Sequence, residues 1–312
     1  MPTTEDLHTV EVQALTEEIR TLVAERDAVL LAHNYQRAEV QDAADFVGDS
    51  LGLSRTAAAT DARLIVFAGV HFMAETAKIL APGKTVLMPE PAAGCPMADM
   101  ITAQQARAFK DAHPDLPLVT YVNSSAEVKA ETDVCCTSAN AVAVVRSLGA
   151  KRVLFAPDRN LGAWVASQLP DVEVISWDGF CPVHDKVTPE MVQQAQASHP
   201  GAQVITHPEC RPEVNALADA VLSTSGMLRH VASSPANSFI IVTEGGLLHG
   251  LAKAAPGKRF VGVTPQMLCP NMKLTTLAKV RDCLRDMSGA VTVPADVRVR
   301  ARAAVERMVA IA

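Results

Sequence analysis

Three of the seven cysteines in this 312-residue chain are followed at once by proline: Cys95, Cys181 and Cys269. Nineteen prolines scattered at random would give about 0.4 such pairs, so the pairing points to a requirement of the fold or the chemistry. The three cysteines are 86 and then 88 residues apart. A proline directly after a cysteine suits the first turn of a helix, which aims unpaired N–H groups and a positive dipole end at whatever the sulfur holds. Three thiolates without a local C-x-x-C leave two chemistries: a [4Fe–4S] cluster with three protein ligands and one open iron, or a zinc ion with three sulfurs and an exogenous fourth ligand. Either keeps a coordination position for a substrate. The other four cysteines lack this pattern. Cys135 and Cys136 are adjacent and face opposite sides of an extended segment. Cys210 has no partner at the repeat spacing, and Cys283 lies in the helical run TTLAKVRDCL. Packing is the expected role of all four.

The same spacing recurs upstream of each Cys-Pro pair. AHNYQRAEVQDAADFVGDSLGLSRTA aligns with TYVNSSAEVKAETDVCCTSANAVAVV and with THPECRPEVNALADAVLSTSGMLRHV. His33, Tyr121 and His207 are 88 and 86 apart; so are Val40, Val128 and Val214, then Asp45, Asp133 and Asp219, then Ser50, Ser138 and Thr224. Thr16, Thr102 and Thr188 precede helical patterns as candidate N-caps, and Thr276 opens a fourth, unfinished copy. Each copy alternates short β-rich runs with helical segments, which reads as a parallel sheet wrapped by helices. The expected fold is therefore α/β: three repeated αβα units with small parallel sheets around a pseudo-threefold axis, enclosing a single central site. The expected boundaries are residues 1–95, 96–181 and 182–269, with 270–312 forming C-terminal helices that pack back on the first repeat. Ligands of such sheets bind beyond the carboxyl ends of the strands. His33, Tyr121 and His207 each fall where a first strand ends. Ser50, Ser138 and Thr224 fall where a second strand meets a helix start, a place suited to holding an anion.

Composition sets limits on partners. Apolar residues make up 49% of the chain and charged residues 20%, so each unit can bury a core, and aromatics at 4% leave the packing to aliphatic side chains. The net charge of −6 and the lack of a basic tract argue against nucleic acid or an acidic membrane as a partner. The start MPTTEDLHTVEVQ lacks the basic and then apolar pattern of a secretory signal, and no apolar run reaches membrane-spanning length. A cytoplasmic location is expected.

LLAHNYQ, FVGDS, GCPMA, YVNSSAEVK, CTSANAV, FAPDRNLG, CPVH, THPEC and CPNMK together resemble the quinolinate synthase family of de novo NAD biosynthesis. The resemblance runs from about residue 30 to about 285. It implies a triplicated α/β protein with a [4Fe–4S] cluster held by Cys95, Cys181 and Cys269. It also implies that His33, Ser50, Tyr121, Asn123, Ser138, His207, Glu209 and Thr224 surround the substrate. Some members end in C-x-x-C-x-x-C, whereas this chain has LCPNMK, so no switchable disulfide is expected at the third cysteine.

The activity so implied joins iminoaspartate to dihydroxyacetone phosphate, with loss of phosphate and two waters, and the enzyme that makes iminoaspartate is a further candidate partner. An open iron suits expulsion of hydroxyl as a Lewis acid. Tyr121, His207 and Glu209 are the candidates for proton transfer. His184 ranks below them, as a support for the cluster or a phosphate contact, and Tyr35 has no assigned role. Glu75, Asp158, Arg159 and Glu244 are expected to orient site groups or to stabilise contacts between repeats. Two other readings of the same residues stand: a metal-dependent hydro-lyase acting on a small dicarboxylate, and a non-enzymatic dicarboxylate or oxygen sensor.

Overall fold

The computed structural model describes residues 4–311. Among the described residues, twelve strands form three four-stranded, wholly parallel sheets, one per repeat. The first repeat runs α1 (Thr4–Glu25), β1 (Ala28–His33), α2 (Ala38–Ala43), β2 (Phe46–Gly48), α3 (Ser50–Ala59), β3 (Leu64–Ala68), α4 (His71–Leu80) and β4 (Thr85–Leu87). The second runs α5 (Ala103–Asp111), β5 (Leu118–Tyr121), α6 (Ala126–Lys129), β6 (Val134–Cys136), α7 (Ala141–Ser147), β7 (Arg152–Ala156), α8 (Arg159–Gln168) and β8 (Glu173–Ser176). The third runs α9 (Pro182–Asp185), α10 (Pro189–Ser198), β9 (Gln203–Thr206), α11 (Pro212–Asn215), β10 (Ala220–Val221), α12 (Thr224–Ser233), β11 (Ser238–Val242), α13 (Leu247–Ala254) and β12 (Arg259–Gly262). α14 (Leu277–Asp286) and α15 (Ala295–Ala310) follow.

Strand order is the same three times: β2-β1-β3-β4, β6-β5-β7-β8 and β10-β9-β11-β12. The triplicated α/β architecture expected from the offsets is thus the architecture of the chain. The central strands are continuous apolar runs because helices cover them: all five residues of β3 and all four of β5 are buried. The chain divides into two compact units. The first comprises residues 1–94 and 270–293, with the first sheet, α1 and α14; the second comprises residues 95–269 and 294–312, with the other two sheets and α15.

The repeated aspartates have one structural task. Asp45, Asp133 and Asp219 each accept, at 2.7 Å, the backbone N–H of a buried residue in the first strand of their repeat: Leu30, Leu118 and Val204. In return their own amides donate to the carbonyls of those same residues. The short edge strand is thereby fixed beside the central one. Val40, Val128 and Val214 are wholly buried on the helix that links the two strands.

Thr102, Thr188 and Thr276 cap α5, α10 and α14 through their hydroxyls. Thr16 does not cap. α1 begins twelve residues earlier, at Thr4, so Thr16 lies within the helix and its hydroxyl bonds back to the Val12 carbonyl at 2.8 Å. The C-terminal segment also departs from expectation. α14 packs on α1, within the first repeat, through Leu277, Val280, Cys283 and Leu284. α15 instead packs on α6 and β6 of the second repeat, where the Asn140 amide donates to the Met308 and Ile311 carbonyls and Arg300 meets Glu131 at 2.7 Å. The two helices part at Pro294, and β6 is an edge strand whose flank α15 covers.

Candidate active site

The carboxyl ends of the first strands carry the polar side chains. His33 ends β1, Tyr121 ends β5, and His207 follows β9 by one residue. Each central strand has one neighbour on either side with the connections diverging between them, the position at which parallel sheets bind ligands. The loops that start there are tied in the same way in all three repeats. Eight residues after each landmark stands a donor on the following short helix: Gln41, Lys129 and Asn215. Gln41 donates to the Gln36 carbonyl at 2.9 Å, Lys129 to the Ser124 carbonyl, and Asn215 to the Cys210 carbonyl at 3.0 Å. Each acceptor is the third residue past its landmark.

The two landmark histidines share a further constraint. His33 Nδ1 accepts the Tyr35 amide at 3.1 Å, and His207 Nδ1 accepts the Glu209 amide at 3.3 Å. With Nδ1 used as an acceptor, the neutral imidazole carries its proton on Nε2. Burial holds the His207 pKa down to about 3, working against the Glu209 charge, so the ring is neutral around neutral pH.

Within the second unit, residues from separate repeats form one buried network. Tyr121 donates its hydroxyl to Glu209 Oε1 at 2.6 Å, and the other carboxylate oxygen lies 2.7 Å from His184 Nδ1. His184 Nε2 is 2.9 Å from the Thr243 hydroxyl, and its ring stacks on His207 at 4.8 Å between centroids. Burial raises the Glu209 pKa, but the neighbouring imidazoles and the hydrogen bonds from His184 and Tyr121 outweigh it and hold the carboxyl below its ordinary range. A buried carboxylate with paired oxygens, a phenol and two imidazoles can bind a polar substrate and exchange protons with it.

The Cys-Pro cysteines lie at the same place. His184 Nδ1 is 3.2 Å from Cys181 Sγ. Cys95 is close enough to Cys269 and Glu209, and Cys181 to Glu209 and Cys95, for each negative charge to disfavour the next. Burial first, and then these charges, push Cys95 up to about 12 and Cys181 well above the usual thiol range. The turns after Pro96 and Pro182 lower that barrier: the Ala98 and Met97 amides face the Cys95 sulfur, and the His184 amide faces that of Cys181, whose Pro182 opens α9. These three cysteines are partly accessible, whereas Cys135, Cys136, Cys210 and Cys283 are buried, and no disulfide links any of them among the described residues. Two clustered sulfurs that resist becoming thiolates alone, yet face backbone amides, with Cys269 close to one of them, fit a cationic centre that supplies the missing charge. Cys181, His184 and Glu209 also offer ligand atoms within 4.8 Å of one another. Both His184 ring nitrogens are engaged in hydrogen bonds, however, so that trio is better satisfied as a network than as ligands to an ion.

The remaining expected residues fall in two groups. In the second unit, Thr224 is the buried first residue of α12, and Ser138 lies in the turn ahead of α7. Asn123 is half-buried, with an enclosed Oδ1 that has no hydrogen-bond partner. In the first unit, Ser50 is the first residue of α3, behind the Asp49 cap, and His33 packs edge-on against Tyr35 at 4.7 Å. Sequence reasoning placed His184 behind the other candidates, whereas the structure sets it inside the network, and it singled out neither Thr243 nor Lys129. At the repeat spacing, His184 corresponds to Ala98 and Met272, and Thr243 to Pro157 and Gly69, so periodicity could not mark them.

Fold and site define a class: a triplicated α/β protein in which the second unit presents a thiol-rich, polar centre at the carboxyl ends of its parallel strands. Comparison with known proteins narrows it. The sequence model of the quinolinate synthetase A protein family matches residues 17–310. A quinolinate synthase of Geotalea uraniireducens is 54% identical over 294 residues, covering 94% of this chain and 96% of its own. One from Geobacter metallireducens is 54% identical over 302 residues, covering 97% and 99%, and one from Dehalococcoides mccartyi is 54% identical over 296, covering 95% and 98%. This chain belongs to the quinolinate synthase family.

Proposed function

We propose that the chain makes quinolinate from iminoaspartate and dihydroxyacetone phosphate for NAD biosynthesis, with Cys95, Cys181 and Cys269 holding a [4Fe–4S] cluster. The observation that carries the reading is the buried Tyr121–Glu209–His184 network, directly beside the Cys181 sulfur, in a member of this family. When bound, such a cluster has one iron without a protein ligand and supplies Lewis acidity for the loss of hydroxyl.

The chain's own residues divide the other tasks. Glu209, held ionised, accepts a proton from the reacting carbon or nitrogen, and Tyr121, hydrogen-bonded to it, carries the proton onward. His207 presents Nε2–H and serves as a donor to a substrate oxygen; its depressed pKa suits a neutral donor rather than a base. The unpartnered Asn123 Oδ1 is an acceptor for a substrate N–H or O–H. Thr224, Ser138 and, in the first unit, Ser50 and His33 are proposed substrate contacts, the hydroxyls toward carboxylate groups. Among the described residues no helix is long and apolar enough to cross a membrane. A cytoplasmic setting, in which thiols stay reduced, is proposed along with the activity. The enzyme producing iminoaspartate is a proposed partner, because an imine in water is short-lived.

The test is anaerobic purification with iron, sulfide and zinc analysis, then incubation with freshly generated iminoaspartate and dihydroxyacetone phosphate. Quinolinate is expected from iron-loaded protein, and Glu209→Gln is expected to lower turnover about 10²- to 10⁴-fold while keeping the iron. Zinc in place of iron, or iron-loaded protein that yields no quinolinate, would overturn the proposal.

A further inference from the structure

A backbone hydrogen bond onto the loop bearing each Cys-Pro cysteine recurs in all three repeats. The His71 amide donates to the Ala93 carbonyl at 2.9 Å, the Arg159 amide to Gly179 at 2.8 Å, and the Gly245 amide to Met267 at 2.7 Å. Every acceptor lies two residues before the cysteine of its repeat. Every donor directly follows one repeat position, occupied by Val70, Asp158 and Glu244. The backbone is therefore periodic here, but the side chain is not.

Glu244 is 1% exposed, and both of its oxygens are committed to backbone amides. Oε1 accepts the N–H of Cys269 at 3.0 Å, and Oε2 accepts the N–H of Gly246 at 2.7 Å. Asp158 is fully buried at the start of α8, where Oδ1 accepts the Asn160 and Leu161 amides at 2.8 and 2.9 Å, and the Cys181 amide also faces its carboxylate. Its Oδ2 has no hydrogen-bond partner. A carboxylate that grips a residue's own N–H fixes that residue's backbone, and so the direction in which its sulfur leaves the loop. Val70 can make no such bond; the Cys95 loop is held instead by the Asn271 side chain, whose amide donates to the Gly94 carbonyl at 2.8 Å.

We infer that Glu244 and Asp158 are positioning residues that fix Cys269 and Cys181. The inference rests on the reading of these cysteines as metal ligands. It gives the two acids different tolerances. Glutamine at 244 keeps one acceptor and turns an NH₂ group toward the second amide, breaking the bridge. Asparagine at 158 can keep Oδ1 in place and put its NH₂ where Oδ2 has no partner.

The experiment compares the full-length wild type with E244Q, D158N and D158A. The first readout is iron release to a chelator from anaerobically loaded protein. The second is iodoacetamide labelling of each cysteine after the metal is stripped, read by peptide mass spectrometry. E244Q is expected to release iron about tenfold faster. It is also expected to raise labelling of Cys269 about fivefold, with Cys95 and Cys181 unchanged. D158N should match the wild type, and D158A should raise Cys181 alone. E244Q equal to the wild type in both readouts, or a uniform rise at all three cysteines, would overturn the inference. Wild-type protein that takes up no iron would sink the metal reading instead, and the labelling pattern would still decide whether Glu244 and Asp158 fix the cysteines.

Discussion

A thiol surrounded by protein keeps its proton unless something positive takes its place. That rule separates the cysteines of this chain. Cys283 is buried among Leu277, Val280 and Leu284, its thiol pushed up to about 12 by burial, and it donates to the Ser288 carbonyl at 3.2 Å. Cys95, Cys181 and Cys269 are partly accessible, and Cys95 feels the charges of Cys269 and Glu209. Cys269→Ala is expected to abolish both bound metal and activity, whereas Cys283→Ala should leave metal content unchanged and cost about 1 kcal/mol of stability through lost packing. Metal analysis of the two variants beside a urea melt checks this, and the opposite pattern would reassign the ligands. The histidines show how one proton position follows from one backbone bond: the amide two residues on occupies Nδ1 of both His33 and His207, which turns Nε2–H outward as a donor.

At the scale of elements, each repeat solves the same problem with the same residue. A two- or three-residue edge strand gains little from its own ladder, so Asp45, Asp133 and Asp219 fasten it to the buried amide of the central strand. Replacing Asp133 by Ala strands the Leu118 N–H inside the protein, and the expected cost is about 1–3 kcal/mol. Asp133→Asn, which keeps an acceptor, should lose less. Chemical denaturation of both variants tests the point, and equal stabilities would show that the side-chain bond contributes nothing. The aspartates, valines and threonine caps were legible in sequence because they recur at 88 and 86 residues, and recurrence needs no knowledge of contacts. Thr16 misled for the same reason: the spacing is right, but the helix begins upstream of it.

At the scale of the molecule, α15 is held on the second repeat by a carboxylate it does not own. Glu131, beside α6, is paired with Arg107 at 2.8 Å and with Arg300 of α15 at 2.7 Å. The hydrogen bond from Arg107 leads the effects that hold the Glu131 pKa below its ordinary value, and Arg300 adds to it against the cost of burial. A carboxyl depressed in the folded state contributes stability that is fully present above the unfolded pKa of about 4.3 and is lost as pH falls through the lower folded value. Glu131→Gln is therefore expected to lower the melting temperature by a few degrees at pH 7 and to leave the stability curve flatter below about pH 4 than in the wild type. Parallel wild-type and variant curves in that acid range would remove Glu131 from the docking of α15.

The sequence alone determined the triplication, the parallel sheets and the three candidate ligands, because a repeat preserves apolar pattern, strand ends and the Cys-Pro step in the one-dimensional record. It also singled out Tyr121, His207 and Glu209, which stand at or beside strand ends. Only the tertiary structure decided how these residues meet. The Tyr121–Glu209 bond spans 88 residues, and the His184–Thr243 contact spans 59, the latter joining side chains for which the other repeats have no polar counterpart. Chemistry in this protein sits where the repeats differ, and a difference carries no periodic signal; its meaning appears only when folding brings unlike positions of like units within hydrogen-bond distance. The resting place of α15 was hidden for a related reason: its apolar face suits any uncovered flank, and the choice of the second repeat rests on Asn140 and Glu131, two polar partners that lie 150 residues or more before it in the chain.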